Sequence, residues 1–395
     1  MDRPLFGRAA GGSTSADSDG TDDGSSGSAE AEWIATIRLC LVPGIGPRTL
    51  DRLLSVFETP GEVLGASAER LGQVPGLGGH LCGAIRAAAE SVPAEAIWQW
   101  CRGVGASVLW RRGIGYPQRL LEIAAPPPLL FALGRVEPRD ELAVAIVGTR
   151  HATAYGLRQA ERFAFGLAKS GVTVVSGLAR GIDRAAHEGA LSAGGRTIAV
   201  LGGGLRQIYP EEHRSLSQAI SASGAVVSEF APDAVPRAGM FPQRNRVIAG
   251  LSLATLVIEA PDRSGALITA RLAGEQGREV LALPGPVTSR ASRGCNRLIR
   301  DGGTLVQTVE DVLESVGHLR EPVDGADGVP IRSGAELNLN ELERQVLAAI
   351  DATSTPIDQV IARSGLPAHR VMATISVLEM RHLIRRLSGQ YVARA

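Results

Sequence analysis

The middle of this 395-residue chain predicts an α/β fold: an extended Rossmann-like, doubly wound parallel sheet. Three observations carry that expectation. Short apolar runs recur at 143–148, 172–177, 196–202, 225–230, 254–260 and 278–284, each too short for a helix and apolar without alternation, as strands buried on both faces are. The segments between them have helical length and spacing, which gives the strand-helix-strand rhythm of a parallel sheet. One rim collects glycine and arginine, because G-T-R (148–150), S-G-L-A-R-G (176–181), G-G-G-L (202–205), F-P-Q-R-N-R (241–246) and P-D-R-S-G (261–265) all follow predicted strands. Ligands of such sheets bind beyond the carboxyl ends of the strands.

The elements follow in chain order. Residues 1–31 are rich in Gly, Ser and Asp and have almost nothing to bury, so a disordered acidic tail is expected. Residues 32–108 read as a small helical domain. In it L-V-P-G-I-G-P-R (41–48) and Q-V-P-G-L-G-G-H (73–80) each place P-G-x-G before a helix. That is the pattern of a tandem helix-hairpin-helix, SAM-like unit, whose turns can present backbone N–H groups to a nucleic-acid phosphate. The sheet domain spans 109–317. Proline, glycine and acid cluster in 318–336, which reads as a linker. Residues 337–395 give three helices (339–350, 356–367, 368–382) and a two-strand wing turning at Ser388 and Gly389, the pattern of a winged helix. Its third helix is not strongly basic, although it offers His369 and Arg370, so contact with protein or weak contact with DNA is expected there.

Composition excludes several classes. The four cysteines, Cys40, Cys82, Cys101 and Cys295, show no paired spacing, which argues against a disulfide framework or a zinc site. No apolar run approaches the roughly 20 residues of a membrane helix, so a cytoplasmic chain with no membrane partner is expected. No G-x-G-x-x-G follows the first strand and no P-loop motif occurs, so neither a nicotinamide cofactor nor any other is expected. Forty-one bases balance forty-one acids, and all the bases except Lys169 are arginine. Arginine number therefore means little, and position has to decide.

Position singles out V-V-S-G-L-A-R-G-I-D-R-A-A-H (174–187), a strand that breaks at glycine and opens into a helix. Such a turn is an anion site, because helix N-termini carry unpaired N–H groups and partial positive charge. Ser176, Gly177, Gly181 and the amide of Ile182 are expected to meet phosphate oxygens, with Arg180 as a bidentate fork. Arg150, Arg244, Arg246 and Arg263 are expected to converge on the same rim, with Phe241 either stacking on a base or packed in the core. Asp183 and His187 lie one helical turn apart beside Ser176 and permit a hydrolytic reading. A structural acid in a first turn is the better reading of Asp183. Glu259 is expected to orient Arg244, Arg246 or a loop amide.

I-V-G-T-R, S-G-L-A-R-G-I-D-x-x-A-H, T-I-A-V-L-G-G-G-L, F-P-x-R-N-R-x-I-A-G-L-S, E-A-x-x-x-S-G-A-L-I-T-A and A-L-P-G-P, in this order through residues 110–305, resemble the DprA (Smf) DNA-processing family. The resemblance implies a domain that binds single-stranded DNA, forms homodimers and loads the RecA recombinase on incoming DNA during natural transformation, without catalysis. It implies DNA-binding roles for Arg150 and Arg180, for Arg244, Asn245 and Arg246 of the R-N-R motif, and for Ser264 and Gly265. One departure is His213 after Y-P-E-E, where asparagine is expected. The alternative is a nucleotide-processing, phosphoribohydrolase-like enzyme on a related sheet, whose P-G-G-x-G-T-x-x-E signature the chain does not contain.

Overall fold

The computed structural model describes residues 23–316, 318–324, 330–387 and 390–395. The expected tail over residues 1–22 and the wing turn at Ser388 and Gly389 lie outside these.

All six apolar runs become strands. In chain order the main sheet contains β1 (Ser107–Trp110), β2 (Leu129–Gly134), β3 (Ala143–Val147), β4 (Thr173–Ser176), β5 (Thr197–Val200), β6 (Ala225–Ser228), β7 (Ala254–Val257), β8 (Glu279–Ala282) and β9 (Thr304–Leu305). Their order across the sheet is β1-β2-β6-β5-β4-β3-β7-β8-β9. Strands β6 to β9 in that order pair in parallel. The chain starts at β3, winds outward through β4, β5 and β6, then returns to the other side of β3 at β7. Loops after β3 and β7 therefore diverge, and a crevice opens at that switch point.

Helices Ala154–Lys169 and Ile182–Ser192 cover one face through Phe163, Leu167, Ala186 and Ala190. Helices Met240–Gly250, Gly265–Glu275 and Arg293–Arg300 cover the other through Val247, Ile248, Ala270 and Cys295. Strands β3 to β7 are buried along their whole length, which is why their sequences show no alternation. The sheet is not wholly parallel. β2 pairs antiparallel with β6, and β1 antiparallel with β2. These two strands stitch the helical domain to the sheet.

Two tandem hairpins build that helical domain. Gly44 and Gly76 hold φ of +91° and +72°, the left-handed conformation that the P-G-x-G turn demands. After them run helices Pro47–Leu53 and Gly79–Arg86. The copies lock together, since Arg52 of the first donates to the carbonyl of Pro75 in the second at 2.9 Å. Trp33, Leu50, Leu53, Ile85 and Trp98 share one core with Phe131, Leu201 and Val226 of the sheet domain.

Two boundaries differ from expectation. The first helix begins at Asp23 and runs to Cys40, so residues 23–31 are helical rather than tail. Buried Trp33 and Ile37 anchor this helix, and Glu30 pairs with Arg102 at 3.3 Å, which extends it into a glycine- and serine-rich sequence of low intrinsic propensity. The expected linker is also structured. β10 (His318–Asp324) and β11 (Pro330–Ser333) pair antiparallel and lead into a short 3-10 turn over Gly334–Asn338. Val323 and Ile331 bury against the sheet domain.

The C-terminal helices are Glu341–Ala348, Ile357–Ser364 and Ala368–Met380. β12 (Thr355–Pro356), β13 (Ile384–Leu387) and β14 (Tyr391–Arg394) form the wing sheet, in the order β12-β14-β13. No described helix is long and apolar enough to cross a membrane.

Candidate nucleic-acid interface

A cleft of about 420 Å³ opens at the switch point. Gly148 and Arg150 after β3, Ala179 and Asp183 after β4, Phe241, Arg244, Asn245 and Ile248 on the helix before β7, and Ser264, Gly265 and Thr269 at the start of the helix after it supply most of its wall. Arg150 is exposed and forms no salt bridge among the described residues; its guanidinium lies 5.2 Å from the centre of the Phe241 ring. Across the cleft, Ser264 caps the helix Gly265–Glu275 by accepting from the amide of Ala266, so the positive end of that helix dipole faces the opening. Of the expected site residues, the fold gathers Arg150, Phe241, Arg244, Asn245, Ser264 and Gly265 around one space.

Arg244 sits at the floor, 4% exposed. It donates to the carbonyls of Gly177 (2.7 Å) and Val200, and to Asn245 Oδ1 at 3.3 Å. Its approach requires Gly177, because a Cβ there would stand 2.5 Å from the guanidinium. Burial lowers the pKa of Arg244 to about 10, while Asp183 beside it favours the charged form. Arg244 thus ties β4, β5 and the loop after β4 together from within. It pairs with neither Glu229 nor Glu259.

The glycine turn after β4 is closed from inside. Asp183 accepts from the amides of Gly177 (3.1 Å) and Ala179 (3.4 Å), taking the place expected for a phosphate. Burial raises the Asp183 pKa, against the pull of Arg244. Ser176 is fully buried and donates to the carbonyl of Ile146 at 2.6 Å. The Ile182 amide donates to Thr149 O. Gly181 holds φ of +77° and lies so close to the backbone of Thr149 that a Cβ would come within 2.4 Å of its oxygen. Ser176, Gly177 and Gly181 therefore shape the turn instead of lining the cleft.

Arg180 stands at the rim in a two-pronged pair with Glu212, both contacts 2.7 Å. That pairing raises the Arg180 pKa and lowers that of Glu212. Arg246 turns away from the cleft and pairs with Glu229, as the offset between neighbours on a helix requires. Arg263 is exposed but does not line the cleft. Glu259 accepts from the amide (2.9 Å) and hydroxyl (2.6 Å) of Thr153, so it holds a loop amide and neither arginine.

His187 bonds through Nδ1 to Thr197 Oγ1 at 2.7 Å, and Thr197 in turn donates to Val174 O. Nδ1 is then the protonated nitrogen. Burial, with His213 and Arg244 nearby, depresses the His187 pKa to about 3. Ser176, Asp183 and His187 are thus each bonded elsewhere and form no nucleophile-base relay. His213 makes a 2.9 Å contact with the carbonyl of Leu178, a residue at φ +55°, and so supports the same loop. Composition gave no signal for Tyr209. Its ring lies 5.8 Å from that of Phe241, and it is the more exposed of the two.

Residues 107–317 match the family model of DNA recombination-mediator protein A. The chain belongs to that family. Its flanking domains match a DprA winged-helix model over 332–390 and a SAM-like helix-hairpin-helix tandem over 37–91. Protein Smf of Synechocystis sp. is 35% identical over 92% of this chain and 98% of its own length. Protein Smf of Escherichia coli is 42% identical over 70% of this chain and 74% of its own. The X-ray structure of DNA processing protein A from Streptococcus pneumoniae superposes with a TM-score of 0.61 at 33% identity, covering 72% of this chain and 98% of that one. For this recombination-mediator family member the cleft sits where doubly wound sheets bind their ligands, and Arg150 is the exposed cation of its wall, with no salt bridge among the described residues.

Proposed function

We propose that this DNA-processing protein binds single-stranded DNA along the cleft and, as a homodimer, loads the RecA recombinase on that strand during natural transformation or a related recombination task, without chemical turnover. The observation that carries the DNA reading is the juxtaposition of Arg150, on the Phe241 ring, with the positive end of the helix at Gly265 across a cleft of about 420 Å³. One side offers the exposed Arg150 guanidinium for a phosphate, the other oriented backbone dipoles, and Tyr209 with Phe241 offers ring surface on which a base can stack. A cleft walled by loops admits a flexible strand better than a rigid duplex. Such contacts give affinity with little sequence preference.

The test is an anisotropy titration with labelled dT oligonucleotides and with a duplex of equal length over a salt series. Single strands are expected to bind more tightly, with a log-log salt slope of about −0.7 per phosphate neutralised. Equal affinity for the duplex by a chain lacking residues 337–395 refutes the cleft as the site. Recombinase loading is read separately, as faster filament formation on strand already coated with a single-strand-binding protein; no acceleration refutes that part alone.

A further inference from the structure

The third helix of the winged domain, Ala368–Met380, buries Val371, Thr374, Ile375 and Leu378. This i, i+3, i+4, i+7 pattern turns Met372, Ala373, Ser376, Val377 and Met380 to the opposite side. Met372 is 39% exposed and Met380 73%. Two of the four methionines in the chain thus stand on one helix face, eight residues and about 12 Å apart. A helix that reads a major groove carries polar and cationic side chains toward the base edges. Here the basic side chains on the exposed face, His369 and Arg370, are confined to the first turn.

The surroundings are positive. Arg386 of the wing lies over the helix, donating to Ser376 Oγ and Glu379, both at 2.9 Å, which uses the helix's only acid. Arg370, in the first turn of the helix, is exposed and forms no salt bridge among the described residues. Glu343 and Asp351 are held by Arg381 and Arg363. Methionine and arginine beside an apolar stripe are enriched at protein-binding surfaces, and the flexible thioether suits a partner that docks by one face.

We propose that this face docks an acidic amphipathic helix of a partner protein. The partner's apolar stripe lies along Met372–Met380, and its carboxylates meet Arg370 and Arg386, the helix-on-groove mode of recognition. The test uses the full chain and a fluorescein-labelled 16-residue helical peptide with leucine at i, i+3, i+4 and i+7 and glutamate elsewhere. A lysine-for-glutamate peptide and a 16-base-pair duplex serve as comparisons. The acidic peptide is expected to bind, more weakly as salt rises, and the lysine peptide to fail. Met380→Glu and Met372→Glu should each weaken peptide binding at least ten-fold with unchanged melting temperature, while single-strand binding is retained. The proposal is overturned if the acidic peptide does not bind, if it binds both variants as well as the parent chain, or if the duplex binds and loses affinity in Met380→Glu and Arg370→Ala, which would make the face a DNA surface.

Discussion

Replacing Arg244 with alanine separates two roles that the R-N-R motif leaves merged. In the structure the guanidinium is buried, bridges the carbonyls of Gly177 and Val200 and lies beside the buried carboxylate of Asp183. Its removal leaves those two carbonyls without their buried donor and takes a favourable charge away from Asp183, which keeps the amides of Gly177 and Ala179. A buried acceptor left without a donor costs about 1–3 kcal/mol, so the two together cost about 2–6 kcal/mol. For a domain of this size each kcal/mol lowers the melting temperature by about 2–4 °C, so Arg244→Ala should melt about 4–24 °C lower. Total stabilities are about 5–15 kcal/mol, so the loss is a large fraction of the whole. Without Arg244 the Asp183 pKa rises further, and the folded state binds a proton that the unfolded state releases. The deficit should therefore shrink as pH falls toward the raised Asp183 pKa. The assay is a thermal melt over a pH series beside a dT titration at low temperature. A variant that melts like the parent chain but fails to bind DNA would refute this account and make Arg244 a direct contact.

Three other perturbations follow. Arg150→Ala should weaken dT binding about ten- to a hundred-fold with little change in melting temperature, because the side chain is exposed and its one packing contact is the Phe241 ring; normal binding by the folded variant would remove the cleft's exposed cation from the account. Glu212→Gln frees Arg180 for a phosphate and should tighten dT binding about two- to five-fold, most visibly at low salt, and unchanged or weaker binding would show that Arg180 takes no part. His187 is neutral in the folded chain down to about pH 3, whereas the unfolded chain protonates it near 6.5. Stability should then be level above pH 6.5 and fall by up to about 1.4 kcal/mol per unit below it through this residue, and urea unfolding of His187→Asn should show a shallower slope between pH 6 and 4.

The strands were legible because burial on both faces leaves an unbroken apolar run, as in A-V-A-I-V and A-T-L-V-I. β1 and β2 were missed as strands although L-L-F-A-L is as apolar as the others: they pair antiparallel, β2 with β6 far along the chain and β1 with β2, outside the strand-helix-strand rhythm that marks the parallel strands. In the site, Arg150, Phe241, Ser264 and Gly265 could be placed from motif order. The role of the glycine turn could not. A turn that holds a phosphate and one that holds its own carboxylate present the same glycines, and Asp183 two residues after Gly181 was the one sign that the anion is internal. The Arg180–Glu212 pair spans thirty-two residues and depends on the fold of the intervening segment. The burial of Val323 and Ile331 was obscured by the proline and glycine around them.

The shared core of the helical domain and the sheet bears on how the chain comes apart. Leu178, Leu201, Leu205 and Val226 of the sheet domain lie in one apolar cluster with Leu50, Phe57 and Trp98 of the hairpin unit, whereas Val346, Val360, Ile375 and Val392 of the C-terminal domain pack in a cluster of their own. The first two domains should lose their slow amide hydrogen exchange together, as a single foldon, and the third should exchange at a lower free energy of opening. A cut near residue 106 would uncover part of the sheet, and a cut near residue 337 would leave the rest of the chain folded.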